Sequence, residues 1–378
     1  MKKIILISPG PVDGYPPVQH QARLLVQAGY GVELISTPLP GVGEIAFSCP
    51  NVTIRSIALR TGRGVASIFR TTDFVHMIAG VRRFCGQALV AEIAYDPIGM
   101  FYSDLVPFRP KLRIAHFHET LVHFDQLRVE KRLRGAIRGF QKIIVADAER
   151  GEILQKQLKL SELPMVVPNY PMADPERKLF EDVSDIRDGF EVIYCGSIGL
   201  NQKLDFVIAS VAHWPPSAFL TIIGNDKTTI AQALKNDAEA RGVKDRVRFE
   251  GWVDYSQLEM RLRQADLGIC LLASGFEQLR TALGASNKRY QYMQAGLPQI
   301  GDMNPGVPQF LEGQKIGRVL HSYSEEELAR IVAEYEDDPD KCREEGARAR
   351  ELHLTKYNYQ MVFAPMLDWL NEQRMTMQ

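Results

Sequence analysis

KKIILISPGPVDGYPPVQHQARLLVQAGYGVELIST, residues 2–37, reads as one strand–loop–helix–strand unit. Its first seven residues are a run of apolar and β-branched side chains, as in a strand buried on both faces. The loop PGPVDGYPP follows, then an amphipathic helix, VQHQARLLVQAGY, closed by Gly29, and then a second apolar strand, GVELIST. Two strands joined through a helix are the building block of a parallel sheet.

Working outward, the alternation continues. ALVAEIAY, LRIAHFH, KIIVADA and MVVPNYP read as further strands, separated by helices such as VEKRLRGAIRGFQ and ERGEILQKQLK. It pauses over residues 169–190, NYPMADPERKLFEDVSDIRDGF, a polar and acidic stretch without periodicity that reads as an interdomain linker. A second series then runs EVIYCGSI, KLDFVIASVAHW, AFLTIIG, TIAQALKNDAEARG, RVRFEGWV, SQLEMRLRQA and LGICLLA. SNKRYQYMQA, a strand-like QIG, IGRVLHS and a helical tail with breaks or kinks at Pro339 and Pro365 complete it. The fold class is therefore α/β with two Rossmann-like domains facing one another across a cleft, and ligands are expected outside the carboxyl ends of the strands.

Composition narrows the function. The 378 residues are enough for two domains, and no apolar run approaches the length of a membrane span. The apolar stretch behind MKK is too short for a secretory signal, so a cytoplasmic protein is expected. Five cysteines, odd in number and without a CxxC or histidine-containing ligand set, fit reduced thiols and no metal site. The net charge of −1 conceals roughly +7 before residue 173 and roughly −8 after it. The basic excess lies in RTGRGVASIFR, GVRRF and RVEKRLRGAIRGFQK, which read either as solvated helix faces or as a surface for anionic lipid or a phosphorylated acceptor. No RNA-recognition aromatics or helix-turn-helix pattern accompany these charges, so no nucleic-acid partner is expected.

A dinucleotide-dependent dehydrogenase would need G-x-G-x-x-G after strand one and an acidic residue ending strand two. Here Gly10 and Gly14 lack that spacing, and strand two ends in Ser36-Thr37. No Walker loop is present, and a periplasmic binding protein would require an export signal.

Several segments in order resemble the GT-B glycosyltransferases of the large retaining family, glycosyl transferases group 1 (family 4-like). VIYCGSIGLNQKLDFVI is similar to the turn that opens that family's donor domain. VRFEGWVDYSQLEMRLRQADLGICLL is similar to its V-x-F-x-G-x-V…A-D-L segment, and SNKRYQYMQAGLPQIG to its P/S-N-K-L-F-E-Y-M-A-A-G-L-P-V-I helix. In the first half RIAHFHETL, VEKRLRGAIRGFQKIIVADAERGEIL and VVPNYP fit as well. The resemblance implies an acceptor-binding domain over 1–172, joined by a returning C-terminal helix at about 357–378, and a nucleotide-sugar domain over 173–356. It also implies a retaining, metal-independent transfer from a nucleoside diphosphate sugar, with a UDP-sugar favoured and no cofactor. The acceptor would be a saccharide or lipid-linked molecule of cell-envelope polysaccharide or glycolipid synthesis, and the basic charge of the N-terminal domain is what points to peripheral membrane contact. A nucleotide-sugar epimerase of the same fold and a catalytically weak nucleotide- or carbohydrate-binding subunit are the rival readings.

Residue by residue, Lys203 matches the family's diphosphate lysine. Ser197 stands where an arginine is common, and Lys288 is placed to supply that charge unless it is an ordinary surface lysine. Ser286 and Asn287 are helix-capping candidates whose free N–H groups would receive phosphate. Gly196, Asn201 and Gly224 belong to the same donor-side turns. Gly10 and Gly14 either bring the first loop close to the donor or simply form a tight turn. His118 is the residue implied to approach the transferred sugar, with His116 its rival, and Asp96 and Glu119 line the acceptor side. The family's E-x7-E pair falls on Leu283 and Gln291, neither acidic here. A glutamine carbonyl accepts ribose hydroxyl bonds more weakly than a carboxylate does. Glu277 or the backbone of TALGAS is the available substitute for the first glutamate.

Overall fold

A computed structural model of the chain describes residues 1–40, 42–58, 65–119, 121, 126–174 and 189–376. The chain divides into two compact units, Met1–Met172 with Tyr359–Gln378, and Ala173–Asn358. Of the expected linker, residues 175–188 lie outside the described residues, as do Arg60 and Arg63 of the first basic stretch.

The first unit holds a seven-stranded parallel sheet. Its strands are β1 (Lys3–Pro11), β2 (Gly31–Thr37), β3 (Val52–Ser56), β4 (Leu89–Tyr95), β5 (Leu112–Phe117), β6 (Lys142–Val145) and β7 (Met165–Val166), ordered β3-β2-β1-β4-β5-β6-β7. Helices α1 (Pro16–Gln27), α2 (Val65–Cys85), α3 (Asp96–Leu105), α4 (Gln126–Ile137) and α5 (Ala148–Leu158) connect them. Pro16 and Pro17 open α1, where missing N–H groups cost nothing. Asp147 caps α5 by accepting the Glu149 N–H at 2.9 Å.

The second unit repeats the plan with six parallel strands ordered β10-β9-β8-β11-β12-β13. These are β8 (Phe190–Cys195), β9 (Ala218–Ile223), β10 (Val247–Gly251), β11 (Leu267–Cys270), β12 (Gln299–Gly301) and β13 (Gly317–Val319). Its helices are α6 (Leu204–Ser210), α7 (Thr229–Ala240), α8 (Tyr255–Leu262), α9 (Glu277–Arg280), α10 (Asn287–Ala295), α11 (Val307–Leu311), α12 (Glu325–Asp337) and α13 (Pro339–Thr355). Pro339 marks the break between α12 and α13, where it opens the first turn of α13. The last helix, α14 (Tyr359–Thr376), belongs to the first unit and runs through Pro365.

Each sheet reverses its strand order once, between β1 and β4 in the first unit and between β8 and β11 in the second. In open parallel sheets the crevice at such a reversal is where ligands bind. Both cores lie between sheet and helices. In the first, Ile4, Leu6, Ile93 and Ile114 meet Leu25 of α1 and Phe363, Met366 and Leu370 of α14. In the second, Val192, Leu220, Ile269 and Ile300 meet Ile208, Leu234 and Val332.

Candidate active site

In the second unit, β8 ends at Cys195 and the chain turns at Gly196, whose φ of 132° suits only glycine. A Cβ at Gly196 would stand 3.0 Å from Cε and 3.4 Å from Nζ of Lys288, so that lysine lies directly over the turn. Lys288 Nζ is also 5.3 Å from the Tyr194 ring and donates to Gln202 Oε1 at 3.3 Å. Tyr194 donates its phenolic proton to the Ser197 carbonyl at 2.6 Å and so fixes the turn. Beyond it, Lys203 adopts a left-handed backbone (φ 53°) and holds its ammonium 5.1 Å from the Tyr323 ring. The Asn201 carbonyl accepts the Ala273 N–H at 3.1 Å, tying this turn to the end of β11. Gly224, after β9, packs against the same turn: a Cβ there would stand 2.2 Å from the Gly196 carbonyl oxygen.

Helix α10 completes the group. Ser286 occupies its N-cap position, but the hydroxyl makes no capping bond and lies 3.8 Å from Cys270 Sγ. The expected side-chain cap at Ser286 is thus absent, because that side chain turns into the core. Asn287 Oδ1 is buried with no hydrogen-bond partner among the described residues. Gln291 is 8% exposed, with its Oε1 3.7 Å from Cys195 Sγ. Burial pushes that thiol up to about 12, against the lowering influence of Lys288. Gly196, Ser197, Asn201, Lys203, Gly224, Ser286, Asn287, Lys288 and Gln291 therefore gather at the carboxyl ends of β8, β9 and β11.

Beneath α10 lies a network that nothing in the sequence singled out. Arg289 and Asp302, each 1% exposed, pair at 2.6 Å. Asp302 also accepts the Leu272 N–H at 2.8 Å and the Asn304 N–H at 2.9 Å. Leu283 rests on Gly306, where a Cβ would stand 2.7 Å from the leucine methyl. Glu277 is exposed at the start of the short α9.

The first unit gathers a second group. Asp96, in a left-handed conformation (φ 55°) after β4, accepts the backbone N–H of His118 at 2.9 Å and of Glu119 at 3.3 Å. Holding a non-glycine residue there costs energy that these bonds offset. His118 is 3% exposed and stacks on Tyr95 at 5.2 Å and beside Tyr15 at 5.1 Å. Its Nδ1 lies 3.5 Å from Asp96 Oδ2, yet neither ring nitrogen makes a hydrogen bond among the described residues. Arg150 donates to the His118 carbonyl at 2.7 Å. Burial lowers the Arg150 pKa, opposed by Glu119, Asp147 and Asp96. Burial and the Asp96 and Glu119 carboxylates raise that of Tyr15. Tyr15 and Arg150 were not marked in the sequence; only their positions after strand ends distinguish them.

His116 has a different environment. It is fully buried, and its Nδ1 is 2.8 Å from Gln21 Nε2, which also donates to the Tyr359 hydroxyl at 2.7 Å. Tyr95 donates to Gln21 Oε1 at 2.6 Å. His116 thus ties α1, the sheet and α14 together. Gly10 lies near the end of β1, and Gly14 closes the short turn that follows it. Neither has a positive φ, and an added Cβ would make only ordinary contacts, at 3.8 Å with Tyr15 and 3.7 Å with Leu39. Among the described residues, no group of three or more histidine, cysteine or acidic side chains is placed to hold a metal ion.

Residues 176–352 match the family model described as "Glycosyl transferases group 1". That span, just under half of the chain, is similar to a group 1 glycosyl transferase domain. Solved structures extend the likeness to the whole fold. Sucrose-phosphate synthase from Thermosynechococcus elongatus aligns over 100% of both chains at 16% identity and a TM-score of 0.73. HepE of Anabaena, solved with UDP and glucose, aligns over 98% of this chain and 100% of its own at 14% identity and a TM-score of 0.72. WaaG, a glycosyltransferase of lipopolysaccharide biosynthesis, aligns over 97% and 99% at 13% identity and a TM-score of 0.67. A comparison with curated protein sequences gave no match. The matched span thus contains the whole Gly196–Lys288–Gln291 cluster, and both units have the parallel-sheet architecture of GT-B glycosyltransferases.

Proposed function

We propose that this protein is a retaining glycosyltransferase. It moves a sugar from a nucleoside diphosphate sugar, a UDP-sugar first among them, to a saccharide or lipid-linked acceptor in cell-envelope polysaccharide or glycolipid synthesis. The observation that carries the reading is the seat of Lys288 over the Gly196 turn, at the strand-order reversal of the matched span. A leaving diphosphate there meets an ammonium, the unpaired N–H groups and positive end of α10, and a second ammonium from Lys203. These charges act where negative charge develops as the glycosidic bond breaks. In this reading they do the work a divalent metal would otherwise do, and the protein needs no cofactor. Gln291, at the buried side of the same turn, offers its amide to the ribose hydroxyls.

In the first unit, His118 is assigned to the sugar and the acceptor. Asp96 and Arg150 position it through the backbone N–H and carbonyl of the same residue, and Glu119 serves the acceptor side. Among the described residues no helix is long and apolar enough to cross a membrane. We place the protein in the cytoplasm, with its basic first unit in peripheral contact with an anionic membrane.

The test is a panel of UDP-, GDP-, ADP- and dTDP-sugars read first by thermal shift and then by acceptor-dependent nucleotide release. Stabilisation by one donor and release that requires acceptor support the proposal. Release without acceptor assigns the protein to nucleotide-sugar epimerisation or hydrolysis, and no stabilisation by any donor overturns it.

A further inference from the structure

At the amino ends of the first sheet, opposite the His118 cluster, the surface changes character. Lys3 of β1 is in register with Gly31 of β2 and Leu89 of β4, and Leu112 of β5 follows alongside. Three large apolar side chains stand in water here: Phe108 (76% exposed), Phe84 (66%) and Leu105 (61%). Phe108 holds a φ of 58°, a strained conformation for a bulky residue.

The loop that displays it is rigid. Pro107 and Pro110 flank it, and buried Arg82 donates from below to the Val106 and Pro107 carbonyls at 2.7 and 3.2 Å. Arg82 is itself locked to Glu92 at 2.7 Å, with both side chains buried. Arg109 reaches back to the Asp104 carboxylate at 2.9 Å. A groove of about 400 Å³ runs between Arg83, Phe108 and Lys111. A second, of about 330 Å³, shares Leu89 and Lys111 and carries on to Lys2 and Arg374. The acidic groups of this face are already matched, Glu33 by Lys3 and Arg55 and Asp104 by Arg109 and Arg113. Lys2, Arg83, Lys111 and Arg374 make no ion pair among the described residues, which leaves the face strongly cationic.

We infer that this face docks on an anionic lipid bilayer, with Phe108 and Phe84 inserted at the headgroup level and Arg83, Lys111, Lys2 and Arg374 on the lipid phosphates. A rigid exposed Phe108 among unpaired cations, with Phe84 beside it under Lys3 and Arg55, matches an interface that is apolar below and negative above. A second copy of the chain would set the same cations against themselves. The inference deepens the membrane contact of the proposed function and rests on that reading for its purpose, not for its physics.

The experiment is co-sedimentation of the full chain with phosphatidylcholine vesicles with and without phosphatidylglycerol. Wild type should bind only the anionic vesicles, and less as salt rises. Each surface cation contributes about a fivefold factor, so the Arg83→Ser, Lys111→Ser double variant should bind roughly 25-fold more weakly. Phe108→Ser should weaken it further. Phe108→Trp should keep binding and blue-shift its emission on anionic vesicles only. All variants should keep the wild-type melting temperature and its shift by a nucleotide sugar, so a failure here is distinct from a failure of the glycosyltransferase reading. Absence of vesicle binding, equal binding to neutral vesicles or unchanged binding by the double variant would overturn the inference. So would self-association that these variants abolish, which would assign the face to a second copy.

Discussion

Lys288→Met removes one charge and keeps the stem that packs on Gly196 and Tyr194. What the folded protein loses is small: a hydrogen bond to the neutral Gln202 amide and a half-buried cation–π contact, together about 1 kcal/mol. What the reaction loses is larger. An ammonium about 4 Å from a phosphate oxygen is worth about 4 kcal/mol at an effective dielectric of 20. Loss of one preorganised donor to a developing charge costs about 10²- to 10³-fold in rate. Lys288 is only half-buried, so the lower end applies, about 100-fold in kcat/KM. The assay is acceptor-dependent nucleotide release with the donor that gives the largest thermal shift, run beside the melting temperature of each variant. Activity within about threefold of wild type in a folded Lys288→Met protein would refute the phosphate role. Activity that declined only in step with the folded fraction would refute it equally.

Four further outcomes are expected. Asp302→Ala leaves Arg289 charged and buried, and should cost about 3–5 kcal/mol in urea unfolding. A double Arg289→Met, Asp302→Leu variant should recover most of that loss, and equal losses in the two would count against the ion pair. Burial, with Arg23 adding, holds the His20 pKa down to about 3, and burial, with His118 adding, holds His116 well below its usual value. The unfolded chain takes up protons below about pH 6.5 while these side chains stay neutral when folded, so stability should fall as pH drops from there. The slope should be at most about 1.4 kcal/mol per pH unit per histidine, and His20→Gln should flatten it. His118→Ala should lower turnover by at least tenfold while leaving the donor thermal shift intact, whereas a lost shift would place His118 elsewhere in the mechanism. Gln291→Glu should leave the donor KM unchanged or lower it, and a tenfold rise would contradict the ribose role.

Much of the architecture was legible because buried parallel strands advertise themselves. β1, β2, β4, β5, β8 and β9 are apolar runs, and helix α10 ends where Gly296, in a left-handed conformation, and Pro298 require. Three elements were not legible. β3 is an edge strand of alternating partial exposure, α2 carries exposed apolar residues around an otherwise core-facing helix, and α3 begins directly on the left-handed Asp96 at the end of β4. At the candidate site, residue types pointed to Lys288 and His118, but what positions them is backbone. Asp96 holds His118 through its N–H, Arg150 through its carbonyl, and Gly196 makes room for Lys288 through a missing Cβ. Hydrogen bonds to main chain leave no sequence signature, because any residue supplies the same N–H and carbonyl. Arg289 and Asp302 lie 13 positions apart and meet only once α10 and β12 are folded.

The C-terminal helix sets a timetable for biosynthesis. Tyr359, Phe363, Met366 and Leu370 belong to the core of the first unit, and the Tyr359 hydroxyl closes the Gln21 network. The ribosome has finished Met172 some 187 residues before it reaches Tyr359. At about 5–20 residues per second that is an interval of roughly 10–40 s. During it the nascent first unit lacks one wall of its core and presents an apolar groove along α1. The second unit is contiguous in the chain and has no such wait. Any factor that guards this protein during synthesis therefore has a defined client surface and a defined moment of release, when α14 leaves the exit tunnel.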